Sequence, residues 1–146
     1  MLYFAYGSNL DRAQMRTRCP GATVEARATL PGHTLVFGGF SRRWGGGVAS
    51  LQRVRGAHVE GLLYRLDTED LQALDAYEGH PVTYRRATRL MTDSTGKRHR
   101  AQVYLQPEDD FASWPPTAHY FHILWRAYGK LRFNRTTLED ALGGAA

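Results

Sequence analysis

The stretch Phe4-Ala-Tyr-Gly-Ser-Asn-Leu10 joins an apolar strand to a helical pattern through one tight turn. Gly7 has no Cβ and lets the backbone approach another group closely, while Ser8 and Asn9 are residue types that cap helices. A strand, a turn and a helix N-terminus in succession present unpaired N–H groups and a partial positive charge. This arrangement suits a carboxylate, a phosphate or a developing oxyanion. Taken alone, the stretch is explained more simply as a structural turn with a helix cap.

The size and composition of the chain predict one globular domain over residues 1–146, because 146 residues with 42% hydrophobic and 23% charged side chains can bury a core. No apolar run is long enough to cross a membrane, and the N-terminal segment lacks the basic flank of a signal peptide. Cys19 is the only cysteine, which excludes an internal disulfide. We therefore expect a cytoplasmic protein, and we interpret Cys19 as structural because Cys19-Pro-Gly21 is typical of a helix end.

The net charge of +5 raises the question of a nucleic-acid partner. The basic residues are scattered along the chain, and no nucleic-acid-binding motif accompanies them. We therefore expect neither a nucleic-acid nor a membrane partner, although a basic nucleic-acid adaptor remains the weaker alternative. The charge is also compatible with an anionic substrate.

The apolar periodicity predicts six or seven short strands and about three helices. The predicted strands cover 2–6, 22–30, 34–40, 48–54, 59–66, 84–91 and 98–106, and the helices cover 11–18, 68–76 and 120–131. Pro31-Gly32 predicts a hairpin between the second and third strands, and Arg55-Gly56 resembles a turn. One or two helical turns are expected over 136–142, with 143–146 frayed. The pattern indicates an α+β protein whose strands form either a small barrel or an open sheet.

Several familiar chemical motifs are missing. His119 and His122 have helical spacing, but no second pair of metal-binding residues accompanies them, so we expect no metal site. Ser8 lacks the flanking glycines of a hydrolase nucleophile elbow. Ser41-Arg-Arg-Trp-Gly-Gly-Gly47 lacks the spacing of a phosphate-binding loop, and it predicts either a flexible loop or a backbone surface pressed against another segment.

Glu78 is the strongest candidate for acid–base chemistry. It follows an apolar helix, so its carboxylate lies at the negative end of the helix dipole, where its pKa should rise. A raised pKa suits a carboxyl that acts first as base and then as acid near neutral pH. A solvent-exposed glutamate in a turn is the alternative interpretation.

Several segments together resemble the γ-glutamylcyclotransferase superfamily. They are Tyr6-Gly-Ser-Asn-Leu10, Trp44-Gly-Gly-Gly-Val-Ala49, Val59-Glu-Gly-Leu-Leu-Tyr64, Leu74-Asp-Ala-Tyr-Glu-Gly79 and Tyr84-Arg-Arg86. The resemblance covers nearly the whole chain. It implies a small mixed, mostly antiparallel β-barrel flanked by helices.

The resemblance also implies a reaction. In this family the α-amine of a γ-glutamyl group attacks its own γ-carbonyl, which gives 5-oxoproline and releases an amine or amino acid without a cofactor or metal. Glu78 would take the role of general base and then acid. The substrate-binding residues implied in this way are Tyr6, Gly7, Ser8, Asn9, Leu10 and Tyr84.

The resemblance leaves alternatives open. Ser8-Asn9 favours the branch that acts on γ-glutamyl dipeptides over the γ-glutamylamine branch, and a non-catalytic small-ligand-binding module of the same fold is a further alternative. A pocket tyrosine found in several family members has no counterpart in Thr136–Leu142, while Tyr120 and Tyr128 are interpreted as core residues. The leaving group and the oligomeric state, including a homodimer, stay open.

Overall fold

Five strands close into a barrel in the computed structural model, which describes residues 1–146. They are β1 (Leu2–Ala5), β2 (Thr23–Ser41), β3 (Gly46–Arg65), β4 (Arg85–Asp93) and β5 (Arg98–Leu105). The order around the barrel is β1-β3-β2-β4-β5, with β1 and β5 parallel and all other neighbours antiparallel. The mixed, mostly antiparallel barrel is confirmed.

The strands β2 and β3 form one long ribbon, so the predicted hairpin at Pro31-Gly32 is wrong. Pairing extends from Thr23 opposite Arg65 to Ser41 opposite Gly46, with register shifts after Val24, Pro31 and Gly38. Gly32 and Gly56 have positive φ angles of 70° and 84°, which lets both strands bend at the shift after Pro31. The local turn signals therefore produce a bulge in a continuing ladder, and five strands, of which β2 and β3 have 19 and 20 residues, replace the six or seven short ones.

Four α-helices and one 3₁₀ turn (Ser8–Leu10) surround the barrel. The helices are α1 (Arg12–Arg18), α2 (Thr68–Glu78), α3 (Ala118–Leu131) and α4 (Thr136–Ala145). Asp11, Asp67 and Thr117 cap the first three helices by accepting backbone N–H groups of the first turn. None of the helices combines the length and apolar character needed to span a membrane.

The C-terminal helix is longer than predicted, and the expected fraying over 143–146 is wrong for most of that segment. Helix α4 continues to Ala145, whose side chain is buried in the same core as Leu138 and Ala141. The helix packs against β2. Burial of small apolar side chains on this strand explains why a sequence with two adjacent glycines remains helical there.

Cys19 lies in the hydrophobic core and is fully buried. Its Sγ lies 3.4 Å from the carbonyl oxygen of Asp70, and burial raises the pKa of the thiol to about 11. A protonated, enclosed thiol agrees with the structural interpretation.

The glycine-rich segment is a backbone surface pressed against another segment. The N–H of Gly47 donates to the carbonyl of Pro115 at 3.0 Å, and a Cβ on Gly47 would collide with the Trp114 backbone. Gly45 has a φ of 75° in the turn that joins β2 to β3. This contact brings the segment before α3, and hence the start of α3, against the end of the barrel.

Candidate functional site

A cavity of about 410 Å³ opens at one end of the barrel, between the 3₁₀ turn, the C-terminus of α2 and the start of α3. Six of the seven residues singled out from the sequence line it, namely Tyr6, Gly7, Ser8, Asn9, Glu78 and Tyr84. Leu10 does not line the cavity, because its side chain packs in the hydrophobic core. The structure thus brings the first turn and Glu78 to one site.

The turn lines the cavity and contains two backbone N–H groups without an acceptor in the turn. The N–H of Leu10 donates to the Gly7 carbonyl at 3.0 Å, and the next N–H donates to the Ser8 carbonyl at 3.0 Å. The N–H groups of Ser8 and Asn9 precede these bonds and have no acceptor within the turn. A Cβ on Gly7 would lie 3.3 Å from the Cβ of Ala49, so a larger residue would crowd the cavity wall.

Asn9 holds the turn in shape. Its Nδ2 donates to the Tyr3 hydroxyl at 2.9 Å, and its Oδ1 accepts from Gln14 at 3.0 Å and from Arg18 at 3.1 Å. Its backbone carbonyl accepts from the Tyr64 hydroxyl at 3.0 Å. The side chain is buried, so these bonds fix the turn and connect it to Arg18.

Glu78 is the last residue of α2, and the chain reverses immediately after it. Gly79 adopts the left-handed conformation with a φ of 66°, where a Cβ would lie 2.8 Å from the hydroxyl of Thr83. The reversal returns the N–H of Tyr84 to the carbonyl of Glu78 at 3.1 Å. Glu78 and Tyr84 therefore enter the cavity wall side by side.

The carboxyl group of Glu78 has no hydrogen-bond or ion-pair partner in the protein, although it lines the cavity. Burial raises its pKa, and the positive charges of Arg18 and Arg43 partly oppose this increase. The expected direction is found, with burial as its main cause. Burial, and then the Glu78 charge, also raise the pKa of Tyr6, so this hydroxyl stays protonated at neutral pH.

Two further tyrosine hydroxyls converge on Ala49 at the buried floor of the cavity. The Tyr84 hydroxyl donates to the Ala49 carbonyl at 2.6 Å, and the Ala49 N–H donates to the Tyr120 hydroxyl at 3.1 Å. The Tyr120 hydroxyl itself donates no hydrogen bond in the protein. Tyr120 is buried as expected for a core residue, but its hydroxyl belongs to the cavity wall, which the sequence interpretation missed. The one sequence signal for this role was that Tyr120, the first residue of the apolar stripe of α3, carries a hydroxyl group.

An ion pair fixes α2 one turn before Glu78. Asp75 accepts hydrogen bonds from the Arg86 guanidinium at 2.9 and 3.2 Å and from the Tyr104 hydroxyl at 2.6 Å. Burial alone would raise the pKa of Asp75, but these hydrogen bonds lower it below its ordinary value. Asp75 and Arg86 belong to two of the sequence segments that carry the resemblance, so this pair links those segments in space.

Other cavity residues were not singled out from the sequence. They include Arg18, Arg43, Trp44, Tyr77, Tyr104 and Gln106. They come from four different segments, and their convergence depends on barrel closure. Trp44 and Tyr77 lie in segments that carry the family resemblance, but no local pattern assigned any of the six to the site.

The comparisons with known proteins agree with this geometry. Residues 3–122 match the family described as Gamma-glutamyl cyclotransferase, AIG2-like. The chain is 32% identical to the Gamma-glutamylcyclotransferase of Mus musculus and 31% identical to that of Homo sapiens, in each case over 84% of this chain and 67% of the relative. A solved structure described as Gamma-glutamyl cyclotransferase superposes with a TM-score of 0.87 at 27% identity, covering 97% of this chain and 85% of that one. The chain therefore belongs to the gamma-glutamyl cyclotransferase, AIG2-like family.

Proposed function

We propose that this protein cyclises the γ-glutamyl group of a small molecule to 5-oxoproline and releases the attached amine or amino acid. The observation that carries the proposal is the unpaired carboxyl of Glu78, which shares one cavity with the Tyr6–Asn9 turn. Family membership supports the same class of enzyme.

In the proposed reaction, Glu78 moves protons between two nitrogens of one substrate. Its carboxylate removes a proton from the α-ammonium, and the freed amine attacks the γ-carbonyl carbon to close the ring. The bond between that carbon and the leaving nitrogen then breaks as the Glu78 carboxyl returns the proton to the leaving nitrogen. The ring nitrogen loses a second proton to become the neutral lactam N–H, and the released amine takes up this proton and departs as an ammonium. No water is consumed, because nucleophile and electrophile belong to the same molecule. Proton transfer by a positioned carboxyl contributes roughly 10²–10⁴-fold.

The turn and the floor would hold the substrate in the reactive geometry. We assign the free N–H groups of Ser8 and Asn9 to the α-carboxylate of the γ-glutamyl group. We assign the Tyr120 hydroxyl to the developing oxyanion, because the hydroxyl is buried, is protonated at neutral pH and has no acceptor of its own. Tyr84 and Tyr6 donate to backbone carbonyls and would shape the wall.

The test is detection of 5-oxoproline after incubation of the protein with γ-glutamyl-L-alanine and a panel of related γ-glutamyl amides. We expect product from at least one member of the panel at enzymatic rates. Thermal shift measurements with the same compounds run in parallel. Stabilisation by these compounds without any product would support the non-catalytic binding module instead. The absence of both stabilisation and product would contradict the enzyme and the binding module alike.

A further inference from the structure

The cavity has a buried floor and an exposed rim. Tyr6 and Tyr120 at the floor are 6% and 3% exposed, whereas Tyr77 and Phe40 at the rim are 41% and 57% exposed. Glu78 follows Tyr77 directly and so lies next to the rim. If the γ-glutamyl group is held against the floor and the turn, the leaving group extends towards the rim.

Two arginines from separate segments meet at one rim side chain. The guanidinium carbon of Arg18, at the end of α1, lies 4.7 Å from the centroid of the Tyr77 ring. That of Arg43, in the turn between β2 and β3, lies 5.1 Å from the same centroid. Contacts of this kind between a cation and an aromatic ring are attractive, so Tyr77 holds both positive charges at the rim.

Neither charge is neutralised by a protein carboxylate. The ion pairs of the structure lie elsewhere, between Arg65 and Glu25, Arg86 and Asp75, and His99 and Asp93. Arg18 donates one hydrogen bond, to the amide oxygen of Asn9, and the side chain of Arg43 donates none. The charge of Glu78 interacts with both arginines but forms no ion pair with either, so the rim retains a net positive charge.

The chemistry of this rim distinguishes between two classes of leaving group. An amino acid or peptide attached through its amine carries a free carboxylate, whereas a simple amine carries none. Guanidinium groups form strong, directional hydrogen bonds with carboxylates. Two guanidinium groups without ion-pair partners on the leaving-group side would therefore strengthen the binding of a leaving group that carries a carboxylate. They would not strengthen the binding of a leaving group that carries none.

We propose that Arg18 and Arg43, held on the Tyr77 ring, bind a carboxylate of the leaving group and thereby select γ-glutamyl amino acids and peptides over γ-glutamyl amines. This inference rests on the proposed cyclisation, because it assigns the side of the cavity from which the leaving group departs. It makes the two arginines specificity-determining residues with no part in the proton transfers.

The experiment compares γ-glutamyl-L-alanine with γ-glutamyl-L-alaninamide, which differ only in that a neutral carboxamide replaces the carboxylate. We expect the protein to prefer the acid by about tenfold in kcat/KM, as a partly exposed charged hydrogen bond should provide. Arg43→Gln should remove most of this preference, because KM should rise more for the acid than for the amide. Loss of the Arg43 charge also raises the pKa of Glu78 and acts on both substrates alike, so the ratio of the two kcat/KM values is the readout.

The variant Arg18→Gln should act in the same direction. Because Arg18 also contacts Asn9, turnover of the amide reports any disturbance of the turn. Arg16→Gln is the matched control, since Arg16 carries the same charge on an exposed face of α1 and does not line the cavity. This variant should keep the preference for the acid.

Equal turnover of the two compounds by the unmodified protein, or a preference that survives in the Arg18→Gln/Arg43→Gln double variant, would overturn the inference while leaving the cyclisation intact. Calorimetric binding of both compounds to Glu78→Gln provides a readout that does not need turnover. Tighter binding of the acid supports the rim assignment even if no 5-oxoproline forms, in which case the proposed reaction alone fails. Equal binding, or no binding of either compound, overturns the assignment.

Discussion

At the scale of single residues, Glu78 combines a cavity position, an unpaired carboxyl and a raised pKa caused by burial. A general base must be deprotonated, so activity should fall as pH decreases through its pKa. We predict that the acid limb of kcat/KM has a midpoint above the ordinary glutamate value of 4.5. A pH–rate profile with γ-glutamyl-L-alanine measures this, and a midpoint at or below 4.5 would contradict the assignment.

The same raised pKa predicts a stability effect. The folded protein holds the Glu78 proton more tightly than the unfolded chain, so the wild type loses stability as pH rises from the ordinary pKa through the raised one. The variant Glu78→Gln avoids the burial of a charge, so its melting temperature should exceed that of the wild type by more at about pH 7 than at about pH 4. Thermal denaturation at both pH values checks this. A difference in melting temperature that is the same at both pH values, or larger at about pH 4, would contradict the burial of a charge at Glu78.

Tyr120 should act through its hydroxyl. The variant Tyr120→Phe removes the proposed oxyanion donor and should lower kcat by roughly 10²-fold. It also leaves the Ala49 N–H without its acceptor, which should cost about 1 kcal/mol of unfolding free energy. Tyr128→Phe is the control on the same helix, because the Tyr128 hydroxyl is buried without a partner and its loss should not destabilise the fold. Steady-state kinetics and denaturant unfolding test both variants. A kcat of Tyr120→Phe equal to that of the wild type would remove Tyr120 from the mechanism.

At the scale of secondary-structure elements, the Asp75–Arg86 pair fixes the end of α2 against β4. We predict that Asp75→Asn lowers the free energy of unfolding by about 1–3 kcal/mol and lowers kcat, because Glu78 loses its support. Asp75 has a lowered pKa in the folded state, so its contribution is present above the ordinary value of 3.8 and is lost as pH falls through the folded value. Denaturant unfolding at several pH values measures this. A stability difference that stays the same in strong acid would contradict the role of the ion pair.

The alternation of residues 26–30 and the helical stripe of 120–131 were predictable because they depend on local periodicity. Val24, expected on the buried face of the same strand, is exposed beside a register shift. The continuity of β2 through Pro31-Gly32 was not predictable, since it depends on pairing with a strand more than twenty residues away along the chain. The full length of α4 was likewise hidden. Ala145 is buried only because the outer face of the barrel lies beneath it.

At the scale of the whole molecule, barrel closure assembles the candidate site from distant segments. The Tyr6–Asn9 turn, the end of α2 and Tyr84 were expected to belong together through the family resemblance, and all of them line the cavity. Arg18, Arg43 and Tyr120 could not be assigned in this way, because each looks like an ordinary surface or core residue within its own element. Their proximity arises from the position of α1, of the β2–β3 turn and of α3 around one end of the barrel.

The proposed role of Glu78 is to move the protons of an intramolecular cyclisation in this cavity. The most direct measurement is the initial rate of 5-oxoproline release from γ-glutamyl-L-alanine by the wild type, Glu78→Gln and Glu69→Gln, the last being an exposed glutamate on the same helix. We predict that Glu78→Gln loses at least about 10²-fold in kcat while still binding the substrate, and that Glu69→Gln retains the wild-type rate. A Glu78→Gln variant that releases 5-oxoproline at a rate close to that of the wild type would contradict the proposed role.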